Sequence, residues 1–235
     1  MVMENNSDYK TNAFVDKATT ESIFESLDEN VHLTDKEVFT QIWTSPRKVF
    51  KFIIDNNYSK YMYLILFLGG VISSLSRSAS KFSGDSPYAV LYLFGAIVGG
   101  GFFGWIAYYI YSAIISLTGK WLDGTADTST IFKVFTYSII PTLFIIFLLI
   151  FEFALNQNGL QEDGYNFTAT DFPLLLLLLL TYTIQTVLGI WSLVLLVIGL
   201  SEAQHFSVGK SILNLLIPVL IIVVPLFIIF LLVRI

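Results

Sequence analysis

The sequence predicts an all-α integral membrane protein: a bundle of five transmembrane helices with a short amphipathic interfacial helix before the first span. Three observations carry this. Of 235 residues, 55% are hydrophobic and only 13% charged, with a mean hydropathy of +0.72, whereas a soluble domain carries about 25% charged residues. The charge is also uneven, since residues 1–60 hold 7 of the 13 Lys+Arg and 10 of the 18 Asp+Glu. The remainder is organised into five long apolar runs. These lack the ten-residue alternation of a membrane barrel, and in lipid only a helix satisfies its own backbone over such a length.

The chain divides into a polar, flexible N-terminal cytoplasmic tail over 1–37 and a transmembrane domain over 38–235. The tail is rich in Asn, Asp, Glu, Ser and Thr, a composition too polar to build a core. Ile23, Phe24 and Leu27 are spaced so that they could share one helical face and bind a partner. Met1–Asn30 has no apolar signal-peptide core, so the first span is expected to act as an uncleaved insertion signal.

Next comes Ile42-Trp-Thr-Ser-Pro-Arg-Lys-Val-Phe50. Thr44 or Ser45 can cap a helix, and Pro46 suits its first turn, where the missing N–H costs nothing. Over 46–57, Val49, Phe50, Phe52, Ile53 and Ile54 alternate with Arg47, Lys48 and Lys51. Basic and aromatic residues just ahead of a span favour a helix lying in the membrane interface; the alternative is a core helix packed on the bundle.

The spans are placed at about 59–78, 88–117, 131–155, 173–200 and 211–233. A crossing needs about 20 apolar residues, so the first, centred on Tyr61–Leu75, is the shortest. The second, Tyr88–Leu117, has 30 residues and must tilt or protrude from a ~30 Å hydrocarbon core. Basic residues set the orientation. With the N-terminus cytoplasmic, Arg47, Lys48, Lys51, Lys60, Lys120, Lys133 and Lys210 lie inside, and Arg77, Lys81 and Arg234 outside. That balance predicts a multi-pass protein of the cell membrane with its C-terminus outside.

The second span carries Gly95, Gly99, Gly100 and Gly104; Ala96, Gly100 and Gly104 fall four apart and so share one face. Small faces let membrane helices approach closely, within the bundle or between two copies. Pro141 in the third span and Pro218 and Pro225 in the fifth are expected to kink their helices. Glu152 and Lys133, near opposite ends of the third span, are expected to reach the interface. Gln185 in the fourth span, beside Thr181, Thr183 and Thr186, is expected to hydrogen-bond between helices.

Several function classes find no support in the residues. The net charge of −5 argues against nucleic acid as a partner. There is no cysteine, hence no disulfide, thiolate metal site or Cys nucleophile. His32 and His205 have no zinc-spaced partner, and no Ser/His/Asp set can converge. Asp123 and Asp127 read as a solvated, helix-capping loop rather than a buried aspartyl pair. No catalytic residue, cofactor or metal is therefore expected. The lipid bilayer is the expected partner, with a second copy or another membrane or cytoplasmic protein beside it.

The motifs on the cytoplasmic side then add up. Trp43-Thr-Ser-Pro46 is followed by the Gly-rich span, Gly119-Lys-Trp121, Phe135-Thr-Tyr-Ser-Ile-Ile-Pro141, Gly189-Ile-Trp191 and Gly199-Leu-Ser-Glu-Ala-Gln-His-Phe-Ser-Val-Gly-Lys210. Over roughly 38–235 this resembles the bacterial branch of the Yip domain family (Ypt/Rab-interacting membrane proteins). The resemblance implies five spans with a cytoplasmic N-terminus, placement in a bacterial inner membrane and, from eukaryotic members, an adaptor that binds small GTPases. The expected function is thus a non-enzymatic membrane organiser or partner-recruiting adaptor. Its surface would comprise Trp43, Pro46, Arg47, Trp121, Asp123, Glu202, Gln204 and Lys210. The rival is a small transporter or channel built on the kinked spans, the Gly-rich helix and Gln185.

Overall fold

The computed structural model describes residues 32–78, 89–156, 168 and 171–233. The tail segment around Ile23, Phe24 and Leu27 lies outside them. The described elements are helical throughout.

Helix α1 (Asp35–Gln41) starts inside the segment assigned from sequence to the tail. Thr34 caps it reciprocally, accepting the Glu37 N–H while the Glu37 carboxylate accepts the Thr34 N–H at 2.8 Å. Leu33, one residue earlier, is buried in the main core. Helix α2 (Pro46–Asp55) begins with the expected proline, but Ser45 makes no capping hydrogen bond. Val49, Phe50 and Ile53 on its apolar face are fully buried, and the helix lies against α8 and α6, defined below. At Gly199 of α8 an added Cβ would stand 3.0 Å from the Phe50 ring. The face expected to lie in lipid is therefore covered by protein. An amphipathic stripe is blind to what covers it, and here neighbouring helices do.

Helix α3 (Met62–Ser78) follows, then α4 (Ala89–Gly95), a π-helical segment (Ala96–Phe102) and α5 (Phe103–Lys120). The π segment coincides with the Gly99–Gly101 run, where missing side chains leave the backbone least constrained. It packs closely on α3. A Cβ on Gly100 would stand 2.4 Å from the Gly70 carbonyl oxygen, and one on Gly104 3.0 Å from the Gly70 Cα. Ala96 is buried on the same face. Gly95 and Gly99 are corrected here: among the described residues nothing lies within 4 Å of a Cβ at either, so neither makes the close approach to α3 that Gly100 makes.

Helix α6 (Thr128–Ser138) gives way to a 3-10 turn (Ile140–Phe144) and then α7 (Ile145–Asn156). The break falls on Pro141, as its missing donor requires. Helix α8 (Phe172–Gln204) runs 33 residues, and α9 (Val208–Val233) continues as one helix through Pro218 and Pro225. Among the described residues, four helical stretches are long and apolar enough to cross a membrane: Leu93–Lys120, Thr128–Glu152, Phe172–Gln204 and Val208–Phe227. The first expected crossing, 59–78, corresponds to the shorter apolar helix Met62–Arg77.

Burial divides the bundle along its length. The main core draws on Leu33 to Ile65, Ile115, Ala126 to Ile140 and Leu195 to Ala203. Large apolar side chains are exposed instead on 90–110, 144–151, 172–194 and 212–230. One end is thus a protein-packed helical knot closed by α1 and α2, and the rest presents an apolar flank. Lys133 sits in the knot and donates to Asn57 Oδ1 rather than reaching outward. Glu152, also expected at the interface, is buried and accepts a hydrogen bond from Gln185 across α7 and α8. That bond realises the interhelical role expected of Gln185. Thr181, Thr183 and Thr186 bond back to their own helix.

Candidate interaction face

Three helices of the knot end in the same way. At Asn57, Asp123 and His205 the chain turns left-handed, with φ of 50°, 67° and 55°. In each case the next amide reaches back five residues: Tyr58 N–H to Ile53 O, Gly124 N–H to Gly119 O and Phe206 N–H to Ser201 O. These are Schellman closures, built on short polar or imidazole side chains where glycine is commonest. They turn the chain sharply, so the α5–α6 and α8–α9 connections stay short and close to the core.

The two connections are stitched together. Gln204 Oε1 accepts the Ala126 N–H at 3.0 Å, and Ser116 Oγ donates to Ala126 O at 3.0 Å. Ser201 Oγ donates to Phe206 O at 2.6 Å. Lys210 Nζ donates to Leu122 O at 3.3 Å, sits 3.9 Å from Asp123 Oδ2 and lies over the Phe206 ring. From the other side, Arg47 Nε of α2 pairs with Glu202 Oε1 at 3.1 Å. Asp127 caps α6, and the Thr130 hydroxyl and amide hold its carboxyl below the usual range. Asp35 is likewise held down by Lys60 and by the Tyr58 hydroxyl, which donates to it at 2.9 Å.

The eight expected surface residues are therefore brought to one end of the bundle, but not all face outward. Trp121 is 63% exposed. Arg47, Lys210 and Asp123 are exposed, and Glu202 is partly so. Pro46 is half-buried at the start of α2. Trp43 is half-buried and meets Phe144 edge-on at 5.6 Å between centroids. Gln204 is corrected: at 1% exposure it is a core residue. Its amide fills the space left by Gly119 and Gly124, where added Cβ atoms would stand 2.2 and 2.3 Å from it.

Sequence reasoning missed the polar interior beside Gln204. Thr118 Oγ1 lies 2.8 Å from Asn214 Oδ1 and donates to Ile114 O at 3.0 Å. The Gln204 Nε2 and Asn214 Nδ2 donors are buried without partners among the described residues. With the Asn214 amide turned over, its nitrogen would donate to Thr118 Oγ1 and its oxygen would become an acceptor facing the core. An asparagine near the start of a membrane-length apolar helix, Val208–Phe227, was the available signal. The Thr34-x-x-Glu37 capping box was equally legible and also missed. Among the described residues no cluster of His, Asp and Glu could hold a metal.

A cavity of about 340 Å³ lies elsewhere, between α3, α5, α6 and α8, with Ser73, Tyr108, Ser138 and Ser192 in a largely apolar wall.

Comparison with known proteins bears on this arrangement. A family model described as the Yip1 domain matches residues 40–230. No curated protein and no solved structure matches the chain. The matched stretch takes in α2, the whole bundle and both stitched connections.

Proposed function

We propose, for a chain that belongs to the Yip1 domain family, that it is a non-enzymatic membrane adaptor whose knotted end recruits a protein partner. Five crossings, with α3 as the first, put that end in the cytoplasm and the C-terminus outside, in the inner membrane of a bacterium. The charge balance across the connections supports this orientation. The observation that carries the reading is Trp121. A tryptophan stands 63% exposed on a polar connection to which Lys210 and Gln204 hydrogen-bond. Tryptophan, with tyrosine and arginine, is a residue on which protein interfaces concentrate their energy. The first described residues, Leu33 and α1, pack into the same end.

The test is photo-crosslinking in native membranes from Trp121 and from Lys210, with Phe227 on the apolar flank as control. The same protein should be captured from the first two and not from the third, and Trp121→Ala should abolish its capture from Lys210. Capture of lipid alone from all three positions would overturn the reading.

A second reading, a small transporter or channel, is favoured by one feature. Glu152 is a buried carboxylate bonded to Gln185 between two membrane-length helices, and such groups mark ion and proton paths. Proteoliposome flux that disappears in Glu152→Gln would establish it.

A further inference from the structure

An apolar groove of about 540 Å³ runs between α8 and α9 and ends at Arg47. Ile190, Val194 and Val197 line it from α8, and Val208 and Ile212 from α9. From Ile190 to Ile198 the helix rises ~12 Å, close to the ~15 Å hydrocarbon depth of one leaflet. The polar end is fixed by the pairing of Arg47 Nε with Glu202 at 3.1 Å, just beyond Ile198. That pairing uses one edge of the guanidinium. The Nη nitrogens have no partner among the described residues, and the side chain is 64% exposed. Lys48 and Lys51 on the same helix are also exposed.

We propose that this groove seats one acyl chain of an anionic phospholipid, with its phosphate on the free Nη edge of Arg47. Both walls belong to helices of membrane-crossing length and apolarity, so lipid is the medium that the groove faces. A planar guanidinium takes a phosphate on two parallel N–H donors. The surplus of positive charge on α2 selects against a headgroup that carries its own ammonium. Glu202 opposes the phosphate and sets how firmly it is held. The proposal is separate from the adaptor reading and does not depend on which side of the membrane the knot occupies.

The test is native mass spectrometry of the full chain in detergent, titrated with phosphatidylglycerol or phosphatidylethanolamine. One phosphatidylglycerol should be retained in preference to phosphatidylethanolamine. Arg47→Gln should cut that preference about fivefold, the worth of one basic residue at an anionic headgroup, and Lys48→Gln with Lys51→Gln should cut it less. Glu202→Gln should raise it, a gain that misfolding cannot produce. Val194→Trp should reduce retention of both lipids by filling the groove, and inorganic phosphate should displace neither. The proposal fails if Arg47→Gln keeps the wild-type preference or if the lysine pair costs as much as Arg47. It also fails if inorganic phosphate competes, or if Val194→Cys crosslinks to a second copy in place of binding lipid.

Discussion

Gln204 Oε1 accepts the Ala126 N–H at 3.0 Å across 78 residues of sequence, tying the end of α8 to the start of α6. Gly119 and Gly124 are the space that the amide occupies. Gly119→Ala should therefore destabilise the protein by about 1–3 kcal/mol, the usual cost of forcing atoms into a filled core. Removing the obstruction with Gln204→Ala should make the added methyl cheaper. Thermal unfolding in detergent of the two single variants and the double variant gives the coupling; strictly additive losses would refute the contact.

The glycines of the second span should behave differently from one another. Gly100→Ala drives a Cβ onto the Gly70 backbone, whereas Gly99→Ala and Gly95→Ala meet nothing within 4 Å among the described residues. The first is expected to lower the unfolding midpoint by several degrees. The other two should be neutral or slightly stabilising, since alanine is the better helix former. Equal losses at all three positions would show that the seam lies elsewhere.

Asp127 gives a pH dependence with a defined sign. Its carboxyl is held below the ordinary range by hydrogen bonds from Thr130. A lowered folded pKa adds stability that is present above the unfolded value of about 3.9 and is lost as pH falls through the folded one. Asp127→Asn keeps a capping oxygen and should lose only the acid-sensitive part. Asp127→Ala should cost about 1 kcal/mol at neutral pH. Unfolding midpoints at neutral and acid pH separate the two; identical pH profiles for wild type and Asp127→Asn would contradict the assignment.

Orientation is testable with little engineering, because the chain has no native cysteine. A single cysteine at Asn158 should react with an impermeant maleimide added outside the cell, and one at Asp123 should react only after the membrane is opened. The reverse pattern would invert the proposed topology.

Much of the fold was legible because membrane helices announce themselves by length and apolarity. Helices α5, α6, α8 and α9 fall where the apolar runs predict, and Pro141 breaks the third as its chemistry demands. The candidate face was legible as a set of segments and less so residue by residue. Ser201-Glu-Ala-Gln-His is polar enough to read as surface, yet Gln204 is inside, because the left-handed turn at His205 folds the chain back over it. Lys133 and Glu152 were expected at the interface, since a charge in an apolar run ordinarily moves toward water. Asn57 and Gln185 instead give each a partner within hydrogen-bond reach.

The sequence by itself determined the helical class, the places of the four membrane-length apolar helices, the Gly-rich face at Ala96, Gly100 and Gly104, and the end of the bundle that gathers charge. These follow from composition and from spacing along one chain. Only the tertiary structure decided that the apolar face of α2 meets α8 and α6 rather than lipid, that Gln204 is core while Trp121 is surface, and that Gly95 and Gly99 stand apart from the seam. The reason is physical: periodicity says which side of a helix avoids water, but protein and lipid satisfy that side equally well. Which of them covers it depends on neighbours that are distant in sequence.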